Sequence, residues 1–197
     1  MSPPRRIRRP GWPAAALALS LAGGLVGAAQ AAAQAVLVEL KAGAAVGHYS
    51  DTGAGLELLP QPALAALVEV RPVDWLAGYA GFTRASFGCE EGFCADRDVS
   101  LTSQGLVLGA RWLPGTIWAR AGLALQALDV DARGADDRFD PGLGFELAGG
   151  VELDLGRSWR LRPGVTYLRH AASTDLGDGH VGLYALEVGV AVAIRGD

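Results

Sequence analysis

Long apolar runs are missing from most of this 197-residue chain. Beyond residue 38, the longest stretch without Asp, Glu, Lys or Arg is the twelve residues from Val99 to Ala110, whereas a transmembrane helix needs about 20 apolar residues. Basic clusters are also missing outside the N-terminus, and the pI is about 5.4. These absences exclude a helical membrane bundle for the body of the chain and argue against a nucleic-acid partner.

The N-terminus has a charged segment followed by an apolar one. Four arginines within residues 5–9 precede an uncharged run from Pro13 to Val38 that contains Ala-x-Ala triplets. This order is typical of a secretory signal peptide, with a retained membrane anchor as the weaker alternative. We therefore predict that residues 1–35 are a signal peptide, cleaved after Ala31 or Ala35, and that the chain is exported through the Sec pathway.

The predicted mature part is acidic and contains both cysteines. Residues 1–35 hold four of the 17 basic residues and none of the 21 acidic ones, so the remainder carries a net charge of −8. Cys89 and Cys94 flank a short polar segment with a glycine in it. In an oxidising envelope this spacing favours a small loop disulfide over a metal pair, because no further Cys or His lies nearby. We expect no metal site and no cofactor.

From Val36 onward, apolar and polar residues alternate with period two, the pattern of half-buried strands. The alternation is clearest where Leu143, Phe145 and Leu147 are separated by Gly144 and Glu146. Each such segment is roughly long enough to cross a bilayer at a tilt. Eight strands are predicted, over residues 36–47, 64–71, 75–84, 103–112, 119–126, 143–155, 159–167 and 184–195.

The predicted strands are joined alternately by tight turns and by longer, polar, glycine-rich segments. The turns cover residues 72–74, 113–116 and 156–158, and the longer segments cover residues 50–62, 88–97, 133–141 and 173–179. Short turns at one end and longer loops at the other are typical of bacterial outer-membrane barrels. The predicted fold class is all-β, an eight-stranded antiparallel up-and-down transmembrane β-barrel over residues 36–197.

Alternation alone does not decide which face points inward, since a soluble lipocalin-like barrel would bury its apolar face. The aromatic residues favour the membrane form, because amphipathic rings collect at the two membrane interfaces. A predicted girdle near the tight turns consists of Trp75, Trp112, Trp118 and Trp159. A second group lies toward the long loops and consists of Tyr49, Phe87, Tyr167 and Tyr184.

The charged face gives a second reason to favour the membrane form. Its charged residues are separated mainly by Gly and Ala. Small residues inside a narrow barrel leave room for long charged side chains, and buried charges must be paired or hydrated. Both signs are present, so pairing is feasible. The predicted ionic lining of the lumen comprises Glu39, Lys41, Glu69, Arg71, Arg84, Arg111, Arg120, Glu146, Glu152, Asp154, Arg160, Arg162, Glu187 and Arg195.

The last predicted strand carries the most motif-like segment. Glu187, Gly189, Val192 and Ile194 fit the order polar-x-Gly-x-x-apolar-x-apolar, although Arg195 stands where a terminal aromatic is usual. With this segment the chain resembles the outer-membrane β-barrel superfamily that includes the outer membrane protein A transmembrane domain. The resemblance implies recognition by the barrel assembly machinery, an outer-membrane location, and outer-membrane lipid and lipopolysaccharide as neighbours of a monomeric barrel.

Three functions are compatible with such a barrel. We expect a structural or surface-interaction role exerted through four extracellular loops, and no enzyme activity. Small barrels of this shape include lipid A acyl hydrolases, so such an enzyme is the first alternative. A hydrogen bond between Ser173 and His170 is not expected, however, because the two residues are three positions apart and point to opposite faces of a strand. A narrow small-solute channel is the second, but eight strands enclose a lumen that side chains fill.

Overall fold

A computed structural model describes residues 35–49, 60–89, 99–132, 135–138, 140–156, 158–174 and 177–194. All of them belong to one compact unit, Ala33–Asp197. The predicted signal peptide lies outside the described residues except for Ala35, and so do Cys94 and Arg195. The signal peptide and the Cys89–Cys94 disulfide therefore stay predictions.

Ten strand segments follow one another along the chain. They are β1 (Ala35–Tyr49), β2 (Gln61–Val73), β3 (Leu76–Cys89), β4 (Val99–Trp112), β5 (Ile117–Ala132), β6 (Ala135–Arg138), β7 (Gly142–Val151), β8 (Leu153–Asp154), β9 (Trp159–Thr174) and β10 (Gly177–Ile194). No helix among the described residues is long and apolar enough to span a membrane.

The sheet closes on itself into an eight-stranded barrel. Chain neighbours pair antiparallel in the order β10-β1-β2-β3-β4-β5-β7-β9, and β9 also pairs with β10. Closure comes from the first and last strands, which pair from Val36↔Ile194 to Tyr49↔Val181. Short β8 extends β7 along β9, and β6 folds back on β5. The predicted fold class is confirmed.

The strands are longer than predicted at the end where the longer loops were expected, which we call the loop end. Residues 177–179, predicted as loop, belong to β10, and only residues 175–176 separate it from β9. The predicted loop over residues 133–141 likewise contains β6. Residues 135–138 (Ala-Asp-Asp-Arg) and 177–179 (Gly-Asp-Gly) carry no alternation of apolar and polar residues, so period two does not predict their strand structure.

The outer surface carries a belt of exposed apolar side chains, as expected for a barrel that faces lipid. Leu123 and Leu186 are exposed by 64% and 69%. Their inward neighbours in sequence, Ala124 and Glu187, are buried. An apolar belt of this extent is unfavourable in water. The outward apolar face and the inward charged face therefore follow the sequence pattern.

Strand β3 reverses the predicted facing. Placing Arg84 in the lumen implies that Ala77 and Tyr79, at the opposite parity, face lipid. Instead, Ala77 and Tyr79 are buried inside, whereas Phe82 and Arg84 are exposed on the outside. The predicted place of Arg84 in the lumen is therefore wrong. Both faces of β3 are apolar, so alternation did not fix its orientation, and its pairing with β2 shifts register near Val73.

Candidate functional site

The lumen is the candidate site because it collects most of the buried polar groups. In its half near the tight turns, Glu39 and Glu69 lie completely buried and share two guanidinium partners. Arg111 donates to Glu39 at 2.7 Å and also to Glu69. Arg162 donates to Glu39 at 2.8 Å and to Glu69 at 3.0 Å. Four strands that are mostly not adjacent are thereby tied together across the barrel.

Glu152 extends this cluster toward the turns. It accepts hydrogen bonds from Arg71 at 2.8 Å and from Arg162 at 2.7 Å, and it lies 3.2 Å from Arg160. Arg71 also donates to Glu69 at 2.6 Å. We call this cluster the ionic network; its members are Glu39, Glu69, Arg71, Arg111, Glu152 and Arg162. Charge-assisted hydrogen bonds of this kind are about twice as strong as neutral ones.

Two smaller buried ion pairs lie beside the ionic network. Lys41 pairs with Glu187, and Thr166 donates to Glu187 at 2.6 Å. Elsewhere, the Nε of Arg120 lies 2.7 Å from an oxygen of Glu146. The hydroxyl of Tyr79 donates to Glu146 at 3.0 Å, and the Arg120 guanidinium carbon lies 5.2 Å from the centroid of the Tyr79 ring.

The predicted lining residues divide into five groups by where the structure places them. Buried in the lumen are Glu39, Lys41, Glu69, Arg71, Arg111, Arg120, Glu146, Arg162 and Glu187. Glu152 and Arg160 are partly exposed, and Asp154, which lies 3.3 Å from Arg160, has a 77% exposed side chain. Arg84 points outward, and Arg195 lies outside the described residues.

The predicted tryptophan girdle is wrong in one member. Trp75, Trp112 and Trp159 are more than half exposed near the turns. Trp118 is 1% exposed and points into the lumen, where its ring centroid lies 4.9 Å from the guanidinium carbon of Arg111. Its position near a turn suggested a membrane interface, but it shares the inward parity of Arg120. Phe87, predicted among the loop-end aromatics, is likewise fully buried.

Two glycines make the recess that holds the Trp118 indole. Gly150 and Gly164 face each other on β7 and β9. A Cβ atom added at Gly164 would lie 2.6 Å from an indole carbon of Trp118, and one at Gly150 would lie 2.9 Å from it. Only residues without a side chain leave that space.

Replacing Gly164 with leucine is therefore expected to lower the free energy of unfolding by about 1–3 kcal/mol, because the larger side chain overpacks the lumen around Trp118. Urea titration of the refolded barrel in detergent micelles measures the change. Gly78→Leu is the matched control, since a Cβ atom at Gly78 meets nothing within 4 Å. Equal losses in the two variants would contradict the recess.

The lumen near the loop end holds buried apolar side chains, which the predicted ionic lining does not include. We call this group the apolar cluster; it comprises Leu67, Tyr79, Phe87, Val107, Ala124, Leu128, Leu168, Ala172, Val181 and Leu183. Val181 and Leu183 continue the inward parity of Glu187, so extending the pattern toward the loop end would have indicated them. The lumen is thus layered, ionic near the turns and apolar near the loops.

A short polar chain lies within the apolar half. The hydroxyl of Ser103 lies 2.9 Å from Nε2 of His170, and the Nδ1 of that ring lies 2.9 Å from the Ala171 carbonyl. Gln126 donates to Thr83 at 3.1 Å. His170 is 1% exposed inside the barrel. Its partner is Ser103 from another strand, and a lipid on the outer surface does not reach it.

The described residues offer no group of three or more His, Cys, Asp or Glu side chains suited to a metal ion.

The residues of the predicted assembly motif occupy both faces of β10. Glu187 and Gly189 are buried inward, and Ile194 is exposed on the outward face. Recognition by the assembly machinery stays a prediction.

Comparison with solved structures finds the same barrel. The chain is similar to Neisserial surface protein A, with a TM-score of 0.60 and 20% identity over 80% of this chain and 96% of that protein. It is also similar to Ail of Yersinia pestis, solved with the heparin analogue sucrose octasulfate, with a TM-score of 0.53 and 12% identity over 79% and 98%. OprG of Pseudomonas aeruginosa gives a TM-score of 0.51 and 12% identity over 83% and 98%.

Other comparisons find no match: no protein-family model matches this sequence, and no curated protein does. At such identities the structural similarity establishes the fold, which is that of small eight-stranded outer-membrane barrels. It does not transfer the ligands or roles of those proteins. The function has to be argued from the lumen and the surface of this chain.

Proposed function

We propose that this chain is an integral outer-membrane barrel with a closed lumen, which acts through the segments that join its strands at the loop end. One observation carries the proposal. The inward face carries the ionic network near the turns and the apolar cluster near the loop end, while the outward face is apolar. Such a barrel is stable in lipid and offers no open passage.

Location is tested by cell fractionation together with gel migration. We expect the chain to sediment with the outer membrane and to migrate differently on a gel before and after boiling, because a folded barrel resists detergent at low temperature. Recovery as a soluble periplasmic protein would contradict the proposal and favour the lipocalin-like alternative.

The channel alternative is tested in a planar bilayer. The wild-type barrel is expected to give no stable single-channel steps, because the apolar cluster and the ionic network close the lumen in series. A sixteen-stranded porin in the same bilayer serves as the positive control, since barrels of that size leave an aqueous channel. Reproducible steps from the refolded chain would contradict a closed lumen.

Catalysis is not part of the proposal. The lipid A hydrolase alternative requires a nucleophile and a base that meet the acyl ester at the membrane surface. Here the serine and histidine in contact, Ser103 and His170, are both 1% exposed inside the barrel. Any other nucleophile in contact with His170 would also lie inside the barrel, because His170 itself is buried there. We therefore propose a surface role rather than an enzymatic one.

The surface role is tested on the segment between β3 and β4. Deletion of residues 90–97 with a short glycine linker should leave heat-modifiable migration intact and reduce adhesion to host cells or survival in serum. Shortening the turn between β4 and β5, at the other end of the barrel, is the control. Because Ail was solved with a heparin analogue, heparin is a first ligand to test. Unchanged adhesion and survival would contradict a role for this loop.

A further inference from the structure

A groove of about 610 Å³ lies on the outer surface across β1, β7, β9 and β10. Four outward residues form one rung of the sheet across it: Gly149 pairs with Val165, Val165 with Leu186, and Leu186 with Ala44. The two middle residues of this rung, Val165 and Leu186, have large side chains. The two end residues, Ala44 and Gly149, have little or no side chain. The groove is thus a break in an otherwise leucine-rich belt.

Aromatic rings form the border of the groove toward the loop end. The rings of Tyr167 and Tyr184 lie 4.8 Å apart between centroids. Phe145 contacts Tyr167 edge-on at 5.8 Å, and His48 stacks on Tyr184 at 6.3 Å. This row crosses the same four strands as the groove, so the border and the groove belong to one surface feature.

The outward rung that holds Phe145 and His48 also holds Arg169, on the loop-end side of the groove. Arg169 and His48 both pair with Gly182, one from each side. Both side chains are exposed. The His48 ring covers Gly182, because a Cβ atom added there would lie 2.3 Å from its Cε1. An arginine and an imidazole therefore lie directly above an apolar groove.

We propose that the groove binds one acyl chain of a phosphate-bearing membrane lipid and that Arg169 and His48 bind its phosphate. Guanidinium and imidazole N–H groups are suited to phosphate oxygens, and the groove is within the size range of ligand sites. A lipid matches both features at once, because its charged and apolar parts follow one another along the membrane normal. The inference rests on the proposed membrane location.

Native mass spectrometry of the refolded full chain in detergent, with lipid A as the probe, tests the site. We expect a one-lipid adduct. The variant with both Arg169→Ala and His48→Ala should bind about tenfold more weakly or worse. Removal of the lipid phosphates should weaken binding to the wild type similarly and should have little further effect on that variant.

Groove-filling substitutions test the apolar part. Ala44→Leu and, separately, Gly149→Leu should each weaken binding about tenfold by occupying the volume of the chain. Gly149 tolerates a side chain, because a Cβ atom there would lie 3.4 Å from the nearest atom. Arg84→Ala and Ala80→Leu are the matched controls, since both positions are exposed on the outer face of β3, and they should leave binding unchanged.

The outcomes separate the two proposals. If the variants fold, fractionate with the outer membrane and still bind lipid A as the controls do, the groove is not the site and the membrane location stands. Displacement of the lipid by inorganic phosphate alone would equally contradict a lipid site. If the wild type fails to enter the membrane, the proposed function fails first. If either Ala44→Leu or Gly149→Leu does not fold, the other variant provides the test of the groove.

Discussion

Replacing Glu69 with alanine is expected to lower the free energy of unfolding of the barrel by about 3–5 kcal/mol. Glu69 is fully buried and bonds to Arg71, Arg111 and Arg162. Its removal leaves three guanidinium groups with too few carboxylates in a region that lipid and strands shield from water. The cost comes chiefly from those uncompensated charges rather than from the loss of one bond.

Urea titration of the refolded barrel in detergent micelles measures this loss, and two variants interpret it. Glu69→Gln keeps the size of the side chain and removes its charge, so it should reproduce most of the effect. Asp154→Ala removes a carboxylate that is 77% exposed and should cost less than about 0.5 kcal/mol. If Glu69→Ala lowers the free energy of unfolding by less than about 1 kcal/mol, water must hydrate the arginines in place of the carboxylate, which contradicts the expected cost of unpaired charge.

Replacing Leu123 with arginine is expected to cost about 2–4 kcal/mol in phosphatidylcholine vesicles. Leu123 is 64% exposed on the outer face of β5 and lies well inside the strand, where a charge would meet the hydrocarbon core. The soluble lipocalin-like alternative predicts almost no cost, because in that case the same side chain would already face water.

A position on the same strand provides the depth control. Ile117 is also exposed on the outside, at the turn end of β5, where the polar interface is near. Ile117→Arg should cost about 0–1 kcal/mol. Refolding yield and unfolding in the same vesicles measure both variants. Equal costs at the two positions would contradict a membrane that crosses the middle of this strand.

The strand alternation predicts the fold, because on most strands charged residues of one parity mark the inward face. On β7 and β10, Glu146 and Glu187 mark that face, although Asp178 at the loop end of β10 has the opposite parity. On β3 the charged residue nearest the middle, Arg84, points outward, so the same rule gave the reversed orientation. For Trp118, closeness to the turn predicts a membrane interface and parity with Arg120 predicts the lumen, and the structure follows the parity.

The ion pairs could not be predicted from the sequence. Arg111 on β4 meets Glu39 on β1 across the lumen, and no local pattern links two residues that are 72 positions apart. Pairing depends on how far each strand is displaced along the barrel axis, which the alternation does not specify. The sequence does not reveal the apolar cluster for a different reason, since apolar residues on both faces of a strand hide the period.

The ion pair between Lys41 and Glu187 has a consequence for the order of assembly. It joins the first strand to the last, so it forms only when β1 and β10 meet and the barrel closes. Until that step both charges lack their partner. Closure of the seam therefore pairs both buried charges in one step, and an incomplete barrel that lacks either terminal strand does not form this ion pair.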